Sequence, residues 1–368
     1  MKDAAEAMAA GDLPKAETEL KAVLATSPND YRALNLLGIV RAQQRREPEA
    51  EQLFKQAIQQ KPDFVSAHVD LGLLYVQVNR QEDAVAQFGE ALRLEPARSE
   101  AALGLVNIWR AQAKEAVGSG DLEKALSVLI QARKVTPQNA QVDFEFGMVA
   151  LRMSLLPDAV QAFQEVLDVR KDDSSAIYGL GRAQIGLSKY QEARELFERY
   201  VRLRPEDASG HYALGFCLQA LQQAADARRE LEKSIAIQPV QTESYFQLGL
   251  MDLEANSLDG AVRRFRKALE RDPNHAGALT GMGRVEFQRR DYRKAADLLQ
   301  RAIASNASLR EAHYYLGMSE ARLGKKEESE KELQIAGQLE HEEVEKRRVV
   351  LKILDSSDPA ARQLDETK

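Results

Sequence analysis

Cysteine is almost absent from this chain: Cys217 is the only one in 368 residues. A single thiol excludes an internal disulfide and every metal motif built on paired cysteines. No uninterrupted apolar run approaches the roughly 20 residues of a membrane-spanning helix, so no membrane span is expected. Charge of one sign is nowhere concentrated. The 51 Lys and Arg are interspersed with 57 Asp and Glu, for a net charge of −6. Nucleic acid is therefore not an expected partner, because its binding calls for a basic face. The chain contains neither a GxxxxGKS/T phosphate loop nor an HExxH zinc motif. No signal peptide is expected in the sequence as it stands, since Met1-Lys2-Asp3 runs straight into AAEAMAAGD. As it stands the sequence reads as cytoplasmic; the alternative is a periplasmic or exported protein whose leader has been removed.

What the chain does have is a repeat. Gly72 stands inside an apparent amphipathic helix, where glycine costs about 1 kcal/mol relative to alanine. It has counterparts at Gly38, Gly147, Gly181, Gly215, Gly249, Gly283 and Gly317, and the last six are spaced by 34 residues without a slip. Twelve residues after these glycines come Ala50, Ala84, Ala159, Ala193, Ala227, Ala261 and Ala295. Four further on stand Phe54, Phe88, Phe163, Phe197, Leu231, Phe265 and Leu299. Proline closes many units, at Pro28, Pro62, Pro96, Pro137, Pro205, Pro239 and Pro273, as expected after a helix end. Small residues at two fixed places allow two antiparallel helices to cross closely, which offsets the glycine penalty.

This pattern resembles the tetratricopeptide repeat, a 34-residue helix–turn–helix, over nearly the whole chain. The phase puts unit starts near Tyr31, Val65, Ser99, Ala140, Ser174, Ala208, Thr242, Ala276 and Arg310. The resemblance implies an all-α, right-handed superhelical α-solenoid with the first helices of successive units lining a concave wall. Asp12, Asp121, Ser257 and Asp291 are expected to cap second helices. Pro14, Pro48 and Pro157 fall just inside them, where a missing N–H is harmless.

Two units depart from the pattern. In the unit 99–139, Val106 takes the glycine place and Ala125 follows nineteen residues later rather than twelve. The seven added residues, close to two helical turns, predict a longer first helix broken at Gly118-Ser119-Gly120. That protrusion is read as a tolerated insertion, with a partner contact as the competing reading. At the start, counting back from Ala16 puts Ala4 in the glycine place, so the first repeat is truncated and preceding residues, an export signal among them, are expected to be missing. The domain reading is a solenoid over 1–343, a capping helix over 344–355 with Val344, Val349, Val350, Ile353 and Leu354 covering the edge, and a mobile tail over 356–368.

Chemistry-bearing residues are few and scattered. His68, His211 and His313 all hold the fourth place of their repeats, a packing position by resemblance, and they lie too far apart to converge on one ion. Cys217 falls on the inward face. No active site is read, no cofactor is expected, and the chain is expected not to be an enzyme.

By resemblance, the fifth and ninth places of each first helix face the groove. The fifth holds Asn35, Val69, Leu103, Phe144, Tyr178, Tyr212, Phe246, Thr280 and Tyr314; the ninth holds Ile39, Leu73, Asn107, Met148, Arg182, Phe216, Leu250, Arg284 and Met318. Aromatic and arginine side chains dominate recognition energetics. The candidate partner-binding set is therefore Phe144, Met148, Tyr178, Arg182, Tyr212, Phe216, Phe246, Leu250, Arg284, Tyr314 and Met318. A protein or peptide partner is the expected occupant, with a second copy, giving a homodimer, as the competitor. No three neighbouring units carry the Lys and Asn pattern with which co-chaperone members grip an acidic C-terminal tail. The expected function is an interaction scaffold or adaptor. Alternatives are a substrate-recruiting subunit of an enzyme complex such as a glycosyltransferase, or an extracytoplasmic assembly factor for a pilus, secretion or polysaccharide export.

Overall fold

The chain was analysed as a computed structural model, which describes the backbone to Ser357 and the side chains to Glu342. Among the described residues there are twenty helices and no strand. The helices divide into two compact units at Leu187–Ser188. The first unit holds α1 (Lys2–Ala9) and α2 (Leu13–Thr26), α3 (Tyr31–Gln43) and α4 (Glu47–Gln60), α5 (Val65–Gln77) and α6 (Gln81–Leu94). It continues with α7 (Ser99–Ser119) and α8 (Leu122–Val135), α9 (Ala140–Arg152) and α10 (Leu156–Val169), and ends with α11 (Ser174–Gly186). The second unit opens with α12 (Tyr190–Leu203), followed by α13 (Ala208–Ala220) and α14 (Ala224–Ile237), α15 (Thr242–Glu254) and α16 (Leu258–Arg271). It closes with α17 (Ala276–Gln288) and α18 (Tyr292–Ser305), then α19 (Arg310–Arg322) and α20 (Lys326–Ser357).

Within each unit the fold is an α-solenoid in which every helix packs on its neighbours in the chain. No helix pair could bury its apolar face alone, so stacking supplies the core. The nine expected unit starts coincide with the starts of α3, α5, α7, α9, α11, α13, α15, α17 and α19.

Helix ends follow local chemistry. Every turn inside a repeat carries one residue in the left-handed region, among them Asn79 (φ 58°), Arg290 (φ 65°) and Gly120 (φ 84°). The next N–H then donates to the carbonyl five residues back, as Arg80 does to Tyr75 at 2.8 Å and Leu155 to Ala150 at 2.9 Å. This closure satisfies carbonyls that the helix end would orphan. Asp12, Asp121 and Asp291 accept from Lys15, Lys124 and Lys294 backbone N–H groups as expected. Ser257 sits at the same place, but its side chain makes no capping bond. Pro14, Pro48 and Pro157 all lie in the first turns of their helices.

Gly72 is covered by the ring of the second helix rather than by the alanine. A Cβ on Gly72 would lie 2.7 Å from Phe88 Cε1, and one on Gly249 would lie 2.5 Å from Phe265 Cε1. A second glycine, from the next repeat, presses on the other side of the same ring. Gly104 meets Phe88, Gly179 meets Phe163 and Gly281 meets Phe265, each at 2.4–2.5 Å from an added Cβ. Phe88, Phe163 and Phe265 are consequently wholly buried. Full burial of such a side chain contributes about 1.5–3 kcal/mol, comparable to the roughly 1 kcal/mol that each of its two helical glycines costs.

The seven-residue insertion lengthens α7 to 21 residues, against 13 for α5 and α9, and it ends at Ser119 with Gly120 beyond. At the other end α20 runs unbroken from Lys326 to Ser357, so the stretch expected as a separate capping helix continues the second helix of the last repeat. The side chains of Val344, Val349, Val350, Ile353 and Leu354 lie outside the described residues, as does the chain from 358.

Candidate functional site

Fifth and ninth places lie four residues apart, one above the other on a helix face. Consecutive first helices touch along that layer: α3 on α5, α5 on α7 and α9 on α11 in the first unit, and α13 on α15, α15 on α17 and α17 on α19 in the second. Among the described residues, consecutive second helices within a unit make no contact of that extent, which makes the first-helix layer the tighter side of each unit.

In the first unit the wall begins closed. Asn35 is buried and donates its side-chain amide to Asp70 Oδ2 at 2.7 Å, and Val69 is buried too. Leu73 and Leu103, at 51% and 54% exposure, are bare apolar surface. Phe144 and Met148 are half-buried, Phe144 lying edge-on to Phe163 at 5.9 Å. Tyr178 is half-buried and Arg182 exposed.

Between α7 and α9 the contact is less extensive than in the first-helix pairs just named. A cavity of about 430 Å³ opens there, walled by Val117 of α7 and by Phe144 and Met148 of α9, with Leu129 of α8 among its lining residues. Arg110 spans one edge, its Nη2 2.6 Å from Glu145 Oε1 and its Nε 2.9 Å from Oε2. Lys114 and Arg152 also line the opening. Both are exposed, and neither has a carboxylate partner among the described residues. Sequence reasoning picked out Phe144 and Met148 but missed Arg110, Lys114, Val117 and Arg152. The signal was the insertion itself, which displaces the second half of α7 from any place in the repeat.

In the second unit Tyr212 tilts against Phe216 at 6.5 Å, and Tyr190 meets Phe216 edge-on at 6.3 Å. Phe246 is committed to packing: it lies 4.9 Å from the His275 ring and 6.2 Å from Phe265, and it covers Gly277. Leu250 packs against the same cluster. Thr280 is buried, its hydroxyl donating to the Ala276 carbonyl at 2.8 Å. Arg284 pairs with Glu311 at 2.8 Å and lies over the Tyr315 ring, so its charge is already partly spent inside the fold. Tyr314 is 42% exposed and Met318 half-buried.

The three fourth-place histidines are buried, and each is held at both nitrogens. His211 Nδ1 lies 2.7 Å from Glu230 Oε2, while Nε2 lies 2.9 Å from the Pro205 carbonyl. His313 repeats this with Glu332 and Ala307, and His68 with Gln87 and Pro62. In each case the side-chain partner is nineteen residues on and the carbonyl six back. They tie a second helix to the loop before the repeat. His275, in contrast, caps α17 by accepting from the Ala278 N–H, and Glu243 at 3.0 Å raises its pKa above the ordinary histidine value against the effect of burial.

Among the described residues no three His, Cys, Asp or Glu side chains gather as a metal site, and no helix is long and apolar enough to cross a membrane. Cys217 is wholly buried, and burial pushes its thiol up to about 12. Only the thiolate reacts. Iodoacetamide at pH 8 should therefore leave the native chain unlabelled and modify it only after denaturation; labelling of the folded protein within minutes would refute the packing.

A family model described as a tetratricopeptide repeat matches residues 4–63, 69–113, 110–176 and 178–242, and a second of the same description matches 252–318. The comparison with curated proteins gives no match. A solved tetratricopeptide repeat protein from Parabacteroides merdae aligns with 64% of this chain and 93% of its own at 15% identity and a TM-score of 0.54. MamA from Desulfovibrio magneticus covers 46% of this chain and 97% of its own at 21% identity and a TM-score of 0.44. YrrB, described as having an unusual peptide-binding site, covers 50% and 95% at 26% identity and a TM-score of 0.40.

Proposed function

This chain belongs to the tetratricopeptide repeat family, and from that premise we propose that it is a protein-interaction scaffold which holds a partner segment against its first-helix wall, acting by binding rather than by catalysis. The observation that carries the reading is the half-open state of the wall's apolar side chains. Phe144, Met148 and Tyr178 in the first unit, and Tyr212, Phe216, Leu250 and Met318 in the second, are neither buried in the core nor fully in water. Such side chains gain most from a partner that completes their burial.

Arg182 and the exposed Tyr314 would orient the partner at the edges. Arg284 contributes less, because Glu311 already pairs with it. Phe246 is a poor probe, because its truncation would also unseat His275 and Gly277.

The test is affinity capture with the chain as bait, compared with Tyr212→Ala/Tyr314→Ala. Loss of two aromatic anchors should weaken the captured partner by about tenfold or more while leaving the helical circular dichroism unchanged. Partners retained at full strength by the folded variant would refute binding at this wall.

A further inference from the structure

We propose that the cavity between α7 and α9 is an anchor pocket for an acidic-apolar segment of a partner protein. The segment would present one bulky apolar side chain with a carboxylate within about one helical turn of it. The inference rests on the reading of the first-helix layer as the binding side, and adds the chemistry of what binds there.

Two observations converge. The lengthened second half of α7 lines a cavity of about 430 Å³ against α9, a volume in the range of ligand pockets, which runs from about 300 to 1,000 Å³. Its walls are mostly apolar, Val117, Leu129, Phe144 and Met148 among them, with Asn107 the one neutral polar side chain, so an apolar occupant is favoured over solvent. The rim is selective in charge. Glu145 is neutralised by the two-pronged Arg110 bond, whereas Lys114 and Arg152 project unpaired. An incoming cation would meet two like charges, while a carboxylate would complete both. The rest of the chain carries an excess of acid, with a net charge of −6, so this local basic rim stands out against its own background.

The experiment selects short random peptides displayed on phage against the full chain, then measures the synthetic peptides by fluorescence anisotropy. The expected consensus is Leu, Phe or Trp with Asp or Glu within four positions. Val117→Arg, which fills the cavity, should weaken these peptides by about thirtyfold. Lys114→Glu/Arg152→Glu changes only exposed side chains and so leaves the fold intact. It should weaken them by about tenfold at low salt and less at high salt.

A consensus without an acidic residue overturns the proposal, as does undiminished binding by either folded variant. Peptides that bind Val117→Arg normally but are lost in Tyr212→Ala/Tyr314→Ala would leave the wall reading standing and remove the pocket. Failure to select any peptide would remove both. A chain that sediments as a dimer which Val117→Arg splits would give the pocket to a second copy and overturn the peptide assignment.

Discussion

Replacing Gly249 with leucine should unfold the repeat that contains it. A Cβ there would lie 2.5 Å from Phe265 Cε1 and 2.6 Å from Cδ1, inside any real contact distance. The ring has no retreat, because a Cβ on Gly281 would lie 2.4 Å from Cζ on its other side. Leucine is the better helix former by about 1 kcal/mol, so propensity alone predicts stabilisation. Overpacking costs about 1–3 kcal/mol and sometimes more, and expelling the ring forfeits a further 1.5–3 kcal/mol or so. Sterics therefore win, by roughly 1.5–5 kcal/mol. Gly89 provides the control: it lies in α6 with nothing within 4 Å of an added Cβ. Gly89→Ala should stabilise by about 0.5–1 kcal/mol. In a repeat array each unit answers mainly to its neighbours, so the measurement is hydrogen exchange resolved by segment. Wild-type protection of residues 242–288 in Gly249→Leu would refute the two-sided seat.

The second large effect concerns Arg133. Its Nε lies 2.8 Å from Asp143 Oδ1, its guanidinium also pairs with Glu165, and it lies 4.4 Å over the Phe146 ring. The Asp143 side chain is 2% exposed, and its Oδ2 already lacks a partner. Removing one member of a buried pair strands the other charge, at about 3–5 kcal/mol. Arg133→Met should therefore cost about that much at neutral pH.

The dependence on pH has a definite sign. Burial holds the Asp143 carboxyl above its usual value despite the pull of Arg133, and without that pull it rises further. A carboxyl whose folded value is raised favours the native state when protonated, and loses that advantage as pH rises through the folded value. Arg133→Met should thus gain stability as the pH is lowered from neutrality through the raised folded value. Adding Asp143→Asn should recover most of the loss and flatten the profile. A loss indifferent to Asp143 would refute the account.

Helix phase was fully readable, because glycine, alanine, ring and proline recur at fixed spacing and each has a steric reason to stay there. Cys217 and the histidine positions were readable as inward-facing for the same reason. The histidine partners were not, though the spacing was present: Gln87, Glu230 and Glu332 all lie nineteen residues on. The left-handed turns were legible at Asn79 and opaque at Arg45, Gln222 and Arg290, where closure of the helix end overrides the preference for glycine. The wall residues could be placed by repeat arithmetic, but their availability could not. Whether Arg284 is free depends on Glu311, and whether Phe246 is free depends on His275. The α7–α9 opening was hidden because an inserted segment has no counterpart in the repeat from which to borrow a position.

Seating one ring between two glycines has a consequence for how such a chain could have grown. For Phe88, Phe163 and Phe265 the ring belongs to one helix pair and half its seat to the next, so a copied segment keeps that seat only if it carries both. Splicing out 99–139 would bring Glu145 to the edge of the Phe88 ring where Gly104 now lies, whereas splicing out 65–98 would hand Gly104 to Phe54. In those repeats the module that must be copied together is offset from the visible hairpin, running from the middle of one first helix to the middle of the following one.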